Sequence, residues 1–493
     1  MTRIVASVVF VWALAACVGC GQKPLHFPAT SRPDAAKAAG ASAAFDTNGN
    51  DQADFFTFAG PTGRVERLGY DTSDSGKADV VLDLSALDKR NCRHLVIILD
   101  GFAYSVVKDF YDAGGLRMCH APSKVIAPYP TLTDLCMEDA LGYIPCPGFE
   151  AAYFDRHRNK VVGGSLAYMA GSNEPYNALL DYRASLIWDA ISYLKPWQVF
   201  GKELNDCARL YQRNDRRDLL AYFVSSAGIG TREGAAGQRR ALAQVDRLVN
   251  QVIWESRGMT AVTLLSDHGH SYRPATRIPL DSYLKQRGWR VTDKLSDPRD
   301  VVYIRFGLET YASFATQRSA GLAVDLAACE GVTIASYAQD DAVVALGRDG
   351  GRATVRRKGD RYKYEVQKGD PLQLKDALTQ ITADADGYFA ADDLLKATVD
   401  GAYPDPLARL WRAHFNLAQN TPDVIVSLED NFYSGSTSFG SAVTIASTHG
   451  SINRTNSTAF IMSTLGPLPP FMRSSDIPAH MSKLTGRPWA QRR

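Results

Sequence analysis

His94-Leu95-Val96-Ile97-Ile98-Leu99-Asp100-Gly101 is the stretch on which the fold turns. Apolar residues from Leu95 to Leu99, closed by an acid and a glycine, predict a strand buried on both faces, as at the centre of a parallel sheet. Asp100 then falls at the carboxyl end of that strand. Open α/β sheets bind ligands along this edge, so Asp100 is a candidate site residue by position alone.

The same grammar recurs downstream. Apolar runs at 124–127, 219–224 and 259–265 predict three more buried strands. Helical patterns at 104–111 and 238–255 lie between them, which makes the class α/β with a doubly wound, mainly parallel sheet. From 298 to 371 the pattern changes to short strands with turn signals, Asp349-Gly350-Gly351 among them. This segment reads as a β-rich insertion or cap, dividing the core into parts at 91–297 and 372–493. Helices are expected at 179–194, 372–383, 390–397 and 406–417, and strands at 423–428 and 458–463.

Composition narrows the classes. The chain has 493 residues, 45% hydrophobic and 22% charged, with a net charge of +2. That suits a folded protein of about two to three domains and carries no nucleic-acid-binding signature.

The first residues form a charged and then apolar leader, Arg3 followed by 4–16. It is too short to persist as a spanning helix and reads as a signal peptide. Leu14-Ala15-Ala16-Cys17 resembles a bacterial lipobox, which implies a mature chain beginning at a lipid-modified Cys17 and held to a membrane, periplasmic or at the cell surface. An ordinary secretory signal is the other reading. Residues 17–44, rich in Ala, Ser, Pro and Lys, are expected to be a disordered tether. Export also makes disulfides available to Cys92, Cys119, Cys136, Cys146, Cys207 and Cys329, whose pairing the sequence leaves open.

Residues 45–90 carry two similar loops, Asp46-Thr47-Asn48-Gly49-Asn50-Asp51-Gln52-Ala53-Asp54 and, 25 residues on, 71–79. Asp46, Asn48, Asn50 and Asp54 offer alternating oxygens, the donor type that calcium takes. The loops resemble the short calcium repeats of thrombospondin type 3. Two polar turns in a short β segment would have the same composition.

Three further stretches carry chemistry. Tyr129-Pro130-Thr131-Leu132-Thr133 precedes a predicted helix, whose N-terminus favours an anion. Ser266-Asp267-His268-Gly269-His270 ends the run at 259–265, with a metal-ligand composition at a ligand-binding edge. Thr448-His449-Gly450 precedes the last strand.

Taken in order with Leu99-Asp100-Gly101, these motifs resemble the alkaline phosphatase superfamily, nearest to its nucleotide pyrophosphatase and type I phosphodiesterase branch. The resemblance covers about 93–290 and 405–485. It implies a metal-dependent phosphoester hydrolase or phospho-transferase, acting on a diester, with Thr133 as nucleophile. It also implies that Asp100, Thr133, Asp267 and His268 hold one divalent metal and that His449 serves phosphate or a second metal. The donor set suits zinc or manganese, and His270 is a further candidate for phosphate or a second metal. A threonine hydroxyl needs such a cation to become a nucleophile near neutral pH.

The sequence departs from the family where the second metal is bound. In place of an Asp and a His it has Ser225-Ser226-Ala227-Gly228-Ile229-Gly230-Thr231, and Cys136 stands where phosphodiesterases have a phosphate-binding asparagine. The alternative is therefore a catalytically impaired surface lipoprotein with a binding role.

Overall fold

The computed structural model describes residues 24–88, 92–164, 174–305, 307–435 and 445–490. It is a mixed α/β protein with two large sheets. Seven strands form the first, in the order Phe471–Arg473, Ser123–Ile126, Thr458–Ser463, Thr260–Leu265, Arg93–Leu99, Asp218–Phe223, Tyr182–Arg183. Arg93–Leu99 is flanked in parallel by Thr260–Leu265 and Asp218–Phe223, pairing Leu99 with Phe223 and Ile98 with Leu265. The sheet is parallel apart from Thr458–Ser463, which runs antiparallel to both neighbours.

The strand alternation assigns the two faces. Leu95, Ile97 and Leu99 pack with Leu242, Val245, Val249 and Val252 of the long helix Ser225–Glu255. Val96 and Ile98 pack with Met137, Ala140 and Leu141 of Thr133–Leu141, and with Met481. Helices on both faces explain why the opening strand is apolar throughout, since neither face meets water.

The second sheet has nine strands. Its order runs Arg290–Val291, Asp300–Ile304, Tyr311–Thr316, Val424–Leu428, Val332–Gln339, Ala342–Gly347, Arg352–Lys358, Arg361–Lys368, Phe389–Ala390. The Val424–Leu428 strand, assigned from sequence to the core's second part, inserts here between two strands of the 298–371 segment. Its apolar run satisfies the inside of either sheet equally well, so only the long-range pairing places it. The segment is also less purely β than its turns suggest, with a helix at Ser319–Ala327 packed on one face and Pro406–Phe415 on the other.

Other elements differ from the sequence expectation. The helix expected at 179–194 resolves into a 3-10 turn at Pro175–Leu179, a short strand at Tyr182–Arg183 and a helix at Leu186–Ser192. The eighteen-residue helix Pro196–Arg213, among the longest, lies in a stretch with no clear pattern. The expected helix at 372–383 shrinks to Lys375–Leu378.

The tether is not a tether over its described part. Leu25 and Phe27 are buried in the main core, Pro33–Ala39 is helical, and Ala43–Phe45 pairs with Phe55–Ala59 in a four-stranded antiparallel sheet. Gln251 Oε1 accepts the backbone N–H of Phe27 at 3.0 Å, and the Arg247 side chain donates to the Phe27 carbonyl. Two apolar side chains amid small residues supply enough burial to fix the segment, each worth roughly 1.5–3 kcal/mol.

Cys92, Cys119, Cys136, Cys146, Cys207 and Cys329 are free thiols, all buried. Cys17 lies outside the described residues. Among the described residues, no helix is long and apolar enough to cross a membrane.

Candidate metal centre

Asp100 leaves the central strand at its carboxyl end, and the turn after it is made by Gly101 with φ 68°. A Cβ there would lie 2.6 Å from His270 Nε2, so close approach and backbone conformation both require glycine. The neighbouring parallel strand ends in Leu265 and delivers Asp267 and His268 to the same edge. Thr133 arrives from the other side as the first residue of the Thr133–Leu141 helix. Tertiary pairing thus gathers residues more than 160 apart in sequence.

Ligand atoms of Asp100, Asp267 and His268 all lie within 4.8 Å of one another, and all three side chains are buried. His268 Nε2 is 3.5 Å from Asp100 Oδ1 and 3.4 Å from Asp267 Oδ2. Thr133 Oγ1 is 3.4 Å from the same nitrogen.

The remaining atoms of these side chains are held from behind. Tyr222 donates its hydroxyl to Asp100 Oδ2 at 2.6 Å. Asp267 Oδ1 accepts the backbone N–H of Gly101 and of His268, each at 2.9 Å. His268 Nδ1 donates to the Gly269 carbonyl at 2.9 Å, which leaves the lone pair on Nε2.

Three acceptors therefore face one another. Asp100 Oδ1 and Asp267 Oδ2 are buried without a hydrogen-bond partner. Burial, then the neighbouring Asp267, raises the Asp100 carboxyl well above its ordinary range. Burial raises Asp267 as well, against its backbone hydrogen bonds. The His268 imidazole is pushed down by burial to about 4 and is neutral. Two carboxylates and an imidazole lone pair in contact repel unless a cation or protons lie between them. Oxygen and nitrogen donors in this number, with a hydroxyl beside them, fit a divalent cation such as zinc or manganese.

His449 lies over this group, its ring 3.9 Å from that of His268 and nearly parallel at 20°. Its Nδ1 donates to the Thr131 carbonyl at 2.9 Å. Thr131 Oγ1 in turn accepts the Gly450 N–H at 2.9 Å. Of the two threonines in the motif, Thr131 stitches the His449 loop to the helix entry, while Thr133 faces the acceptors.

His270 is fully buried, with Nδ1 on Ser447 Oγ at 3.0 Å and Nε2 without a partner. Its ring stands 5.4 Å from His449 and 6.3 Å from His268.

Two hydroxyls of the stretch from Ser225 to Thr231 are committed within the scaffold. Ser225 Oγ donates to Glu203, and Ser226 Oγ donates to the Asp100 and Phe223 carbonyls at 2.8 Å. The Thr231 carbonyl accepts from Ala446 and Ser447. All belong to the helix Ser225–Glu255, which begins well before the helix expected from 238 to 255.

Asp46, Asn48, Asn50 and Asp54 lie far from this centre in the chain and belong to the N-terminal sheet's turns. Asp46 accepts from the N–H groups of Gly49, Asn50 and Asp51 and pairs with Arg32 at 2.7 Å. Asp54 accepts from Thr47 and Asn48. The second loop repeats the design, with Asp71 taking Ser73, Ser75 and Gly76 and Asp79 taking Thr72. These oxygens are engaged by the turns themselves, with Arg32 as the cation beside Asp46.

Tyr222 is the participant that motif reading overlooks. It sits inside an apolar strand as Leu-Leu-Ala-Tyr-Phe, paired with Ile98 two residues before Asp100. A buried tyrosine needs a partner for its hydroxyl, and that is the available signal.

No protein-family model and no curated protein matches the chain. Solved structures similar to it include murine ectonucleotide pyrophosphatase/phosphodiesterase 5 as an inactive variant in complex with AMP, at 12% identity and TM-score 0.42. The same murine protein without that description matches at 12% and 0.41, and the human one at 11% and 0.42. Each alignment covers 81% of this chain and 96% of the other.

Proposed function

We propose that this chain is a metal-dependent phosphoester hydrolase or phospho-transferase of the alkaline phosphatase superfamily, acting on a diester, with Thr133 as its nucleophile. The observation that carries the reading is the meeting of Asp100 Oδ1, Asp267 Oδ2, His268 Nε2 and Thr133 Oγ1, the two carboxylate oxygens buried and bare. Asp100, Asp267, His268 and Thr133 would hold one divalent cation, zinc or manganese. When bound, it lowers the pKa of the threonine hydroxyl and offsets charge on the phosphoryl oxygens.

The chain's own groups do the rest. Thr133 Oγ1 would attack phosphorus, its proton passing to solvent. The bond from phosphorus to one ester oxygen would break, that oxygen leaving as the alcohol after taking a proton from water. Water or a second alcohol would later break the bond from phosphorus to Thr133 Oγ1, which recovers a proton. Thr133 stands at the N-terminus of its helix, where the dipole favours the phosphoryl anion. Tyr222 and the N–H groups of Gly101 and His268 fix the two carboxylates before substrate arrives. His449, stacked on His268 and pinned by Thr131, is placed to contact the phosphoryl group or leaving oxygen.

A single-metal site is favoured by the engagement of the Ser225 and Ser226 hydroxyls within the scaffold. Export with lipid attachment at Cys17 completes the proposal, on the strength of Leu14-Ala15-Ala16-Cys17. The deciding experiment is turnover of bis(p-nitrophenyl) phosphate by protein loaded with zinc or manganese, with metal content by elemental analysis. Neither metal nor turnover would leave the surface-binding alternative.

A further inference from the structure

Arg409 is a buried cation outside the metal-facing set. It sits in the helix Pro406–Phe415 and is 4% exposed. Its Nη1 donates to the carbonyls of Pro404 at 3.0 Å and Ile452 at 3.2 Å, and its Nη2 donates to that of Pro128 at 3.3 Å. Burial pulls the guanidinium down to about 10, so it stays charged at neutral pH. A buried charge is tolerated only where hydrogen bonds replace water, and here main-chain oxygens do so. Asp405, one turn earlier, gives its Oδ2 to Arg473 Nε at 2.7 Å.

The three carbonyls belong to separate segments, and two of those segments carry the site. Pro128 leads into Tyr129-Pro130-Thr131-Leu132-Thr133, and Ile452 follows His449-Gly450-Ser451. The two already meet at Thr131. Its N–H donates to the Gly450 carbonyl at 3.2 Å, its Oγ1 accepts the Gly450 N–H, and its carbonyl accepts His449 Nδ1. Contacts centred on one residue fix where two loops touch but allow a pivot about it.

Arg409 grips both loops at a second point, and two points set orientation as well as contact. A planar guanidinium presents its donors in a fixed fork, so the Pro128 and Ile452 carbonyls are held at one separation. Leu407 and Leu410 of the same helix pack with Tyr129, Leu132 and Ile452, and with Ile334 and Val343 of the second sheet. The grip is therefore anchored in the body of the second sheet, whereas Asp100, Asp267 and His268 follow strands of the first.

We propose that Arg409 is a positioning residue for phosphoryl transfer: by holding the Pro128 and Ile452 carbonyls in one fork, it fixes His449 relative to Thr133. This rests on the phosphoesterase reading above and adds to that site a residue that acts through its neighbours. Reacting groups displaced by about 1 Å lose on the order of 10²-fold in rate, so a loosened junction shows first in kcat.

The test is Arg409→Lys in the metal-loaded protein, which keeps the charge and loses the fork. With bis(p-nitrophenyl) phosphate, kcat should fall about 10–100-fold while KM and metal affinity stay within about twofold, because Arg409 bonds to none of the metal-facing side chains. Arg412→Lys is the companion variant. On the same helix, Arg412 pairs with Asp139 and reaches neither loop, so kcat should hold there even if the melting temperature drops. Unchanged kcat in Arg409→Lys, a parallel loss of metal affinity, or an equal loss of kcat in Arg412→Lys would overturn the proposal.

Hydrogen exchange reads the junction without turnover. Peptides covering 128–133 and 449–452 should exchange faster in Arg409→Lys, while the Gly101 and His268 N–H groups, held by Asp267, keep their protection. A uniform gain in exchange, or none, sinks the assignment. If the parent hydrolyses no diester, the phosphoesterase reading fails, and the exchange pattern alone decides for or against the Arg409 clamp. Should Arg409→Lys not fold, Arg409→Gln, which buries no charge, takes its place in both measurements.

Discussion

Tyr222 holds one oxygen of Asp100 at 2.6 Å and leaves the other bare toward His268. The tyrosine lies on the neighbouring strand, so strand register fixes the orientation of the carboxylate. Tyr222→Phe removes that donor and keeps the ring that packs against Val96 and Ile98. Metal affinity should fall about 10–100-fold, the usual cost of losing such a support, with little change in melting temperature of the metal-free protein. Competition with a chromogenic chelator measures it.

Thr133→Ala should abolish turnover of a chromogenic diester, by on the order of 10³-fold or more, because the nucleophile itself is lost. Thr133→Ser should keep measurable turnover. Loss of activity in Ala with retention of metal separates a nucleophile from a mere ligand. Activity in the alanine variant near that of the parent would remove Thr133 from the mechanism.

Metal removal should be visible in stability as well as activity. Apo protein leaves Asp100 and Asp267 buried and opposed, so metal at a hundredfold excess over Kd should add about 2.7 kcal/mol. A thermal shift on adding zinc or manganese to chelator-treated protein reads this directly. Asp267→Asn should blunt the shift.

Glu203 supplies a signature in pH. It accepts from Val224 N–H and from the Ser225 hydroxyl and N–H, fully buried. Burial lifts its carboxyl from 4.5 to about 8. The folded chain keeps a proton that the unfolded chain releases, so this group's contribution to stability falls as pH rises from about 4.5 to about 8. Buried histidines such as His268, held down to about 4, act the other way, but only below about 6.5. Between pH 6.5 and 8, denaturant titration of Glu203→Gln should show about 2 kcal/mol less decline than the parent. Parallel pH profiles would contradict the assignment.

Phe27 anchors the N-terminal segment, its ring 4.9 Å from Phe45 and 6.0 Å from Phe55. Phe27→Ala should cost about 3–5 kcal/mol, measured as a shift in the urea midpoint with the slope retained. A truly tethering segment would tolerate the change with no shift.

The two threonines of one motif mark the limit of sequence reading. Both stand at the start of a predicted helix, and patterning treats them alike. Thr131 is spent on the His449 loop while Thr133 faces His268, a division set by a contact across more than 300 residues.

What the sequence determined by itself was local: apolar runs that had to be strands, Asp100 at the end of one and Asp267 and His268 just beyond another, a helix opening on threonine. These follow from side-chain period and polarity, which neighbouring residues suffice to express. The tertiary structure alone decided where the Val424–Leu428 strand pairs, that Leu25 and Phe27 are core, and that Tyr222 orients Asp100. It also decided which acids share a buried volume. Those are outcomes of long-range pairing and desolvation, and neither is encoded in the pattern of any one stretch.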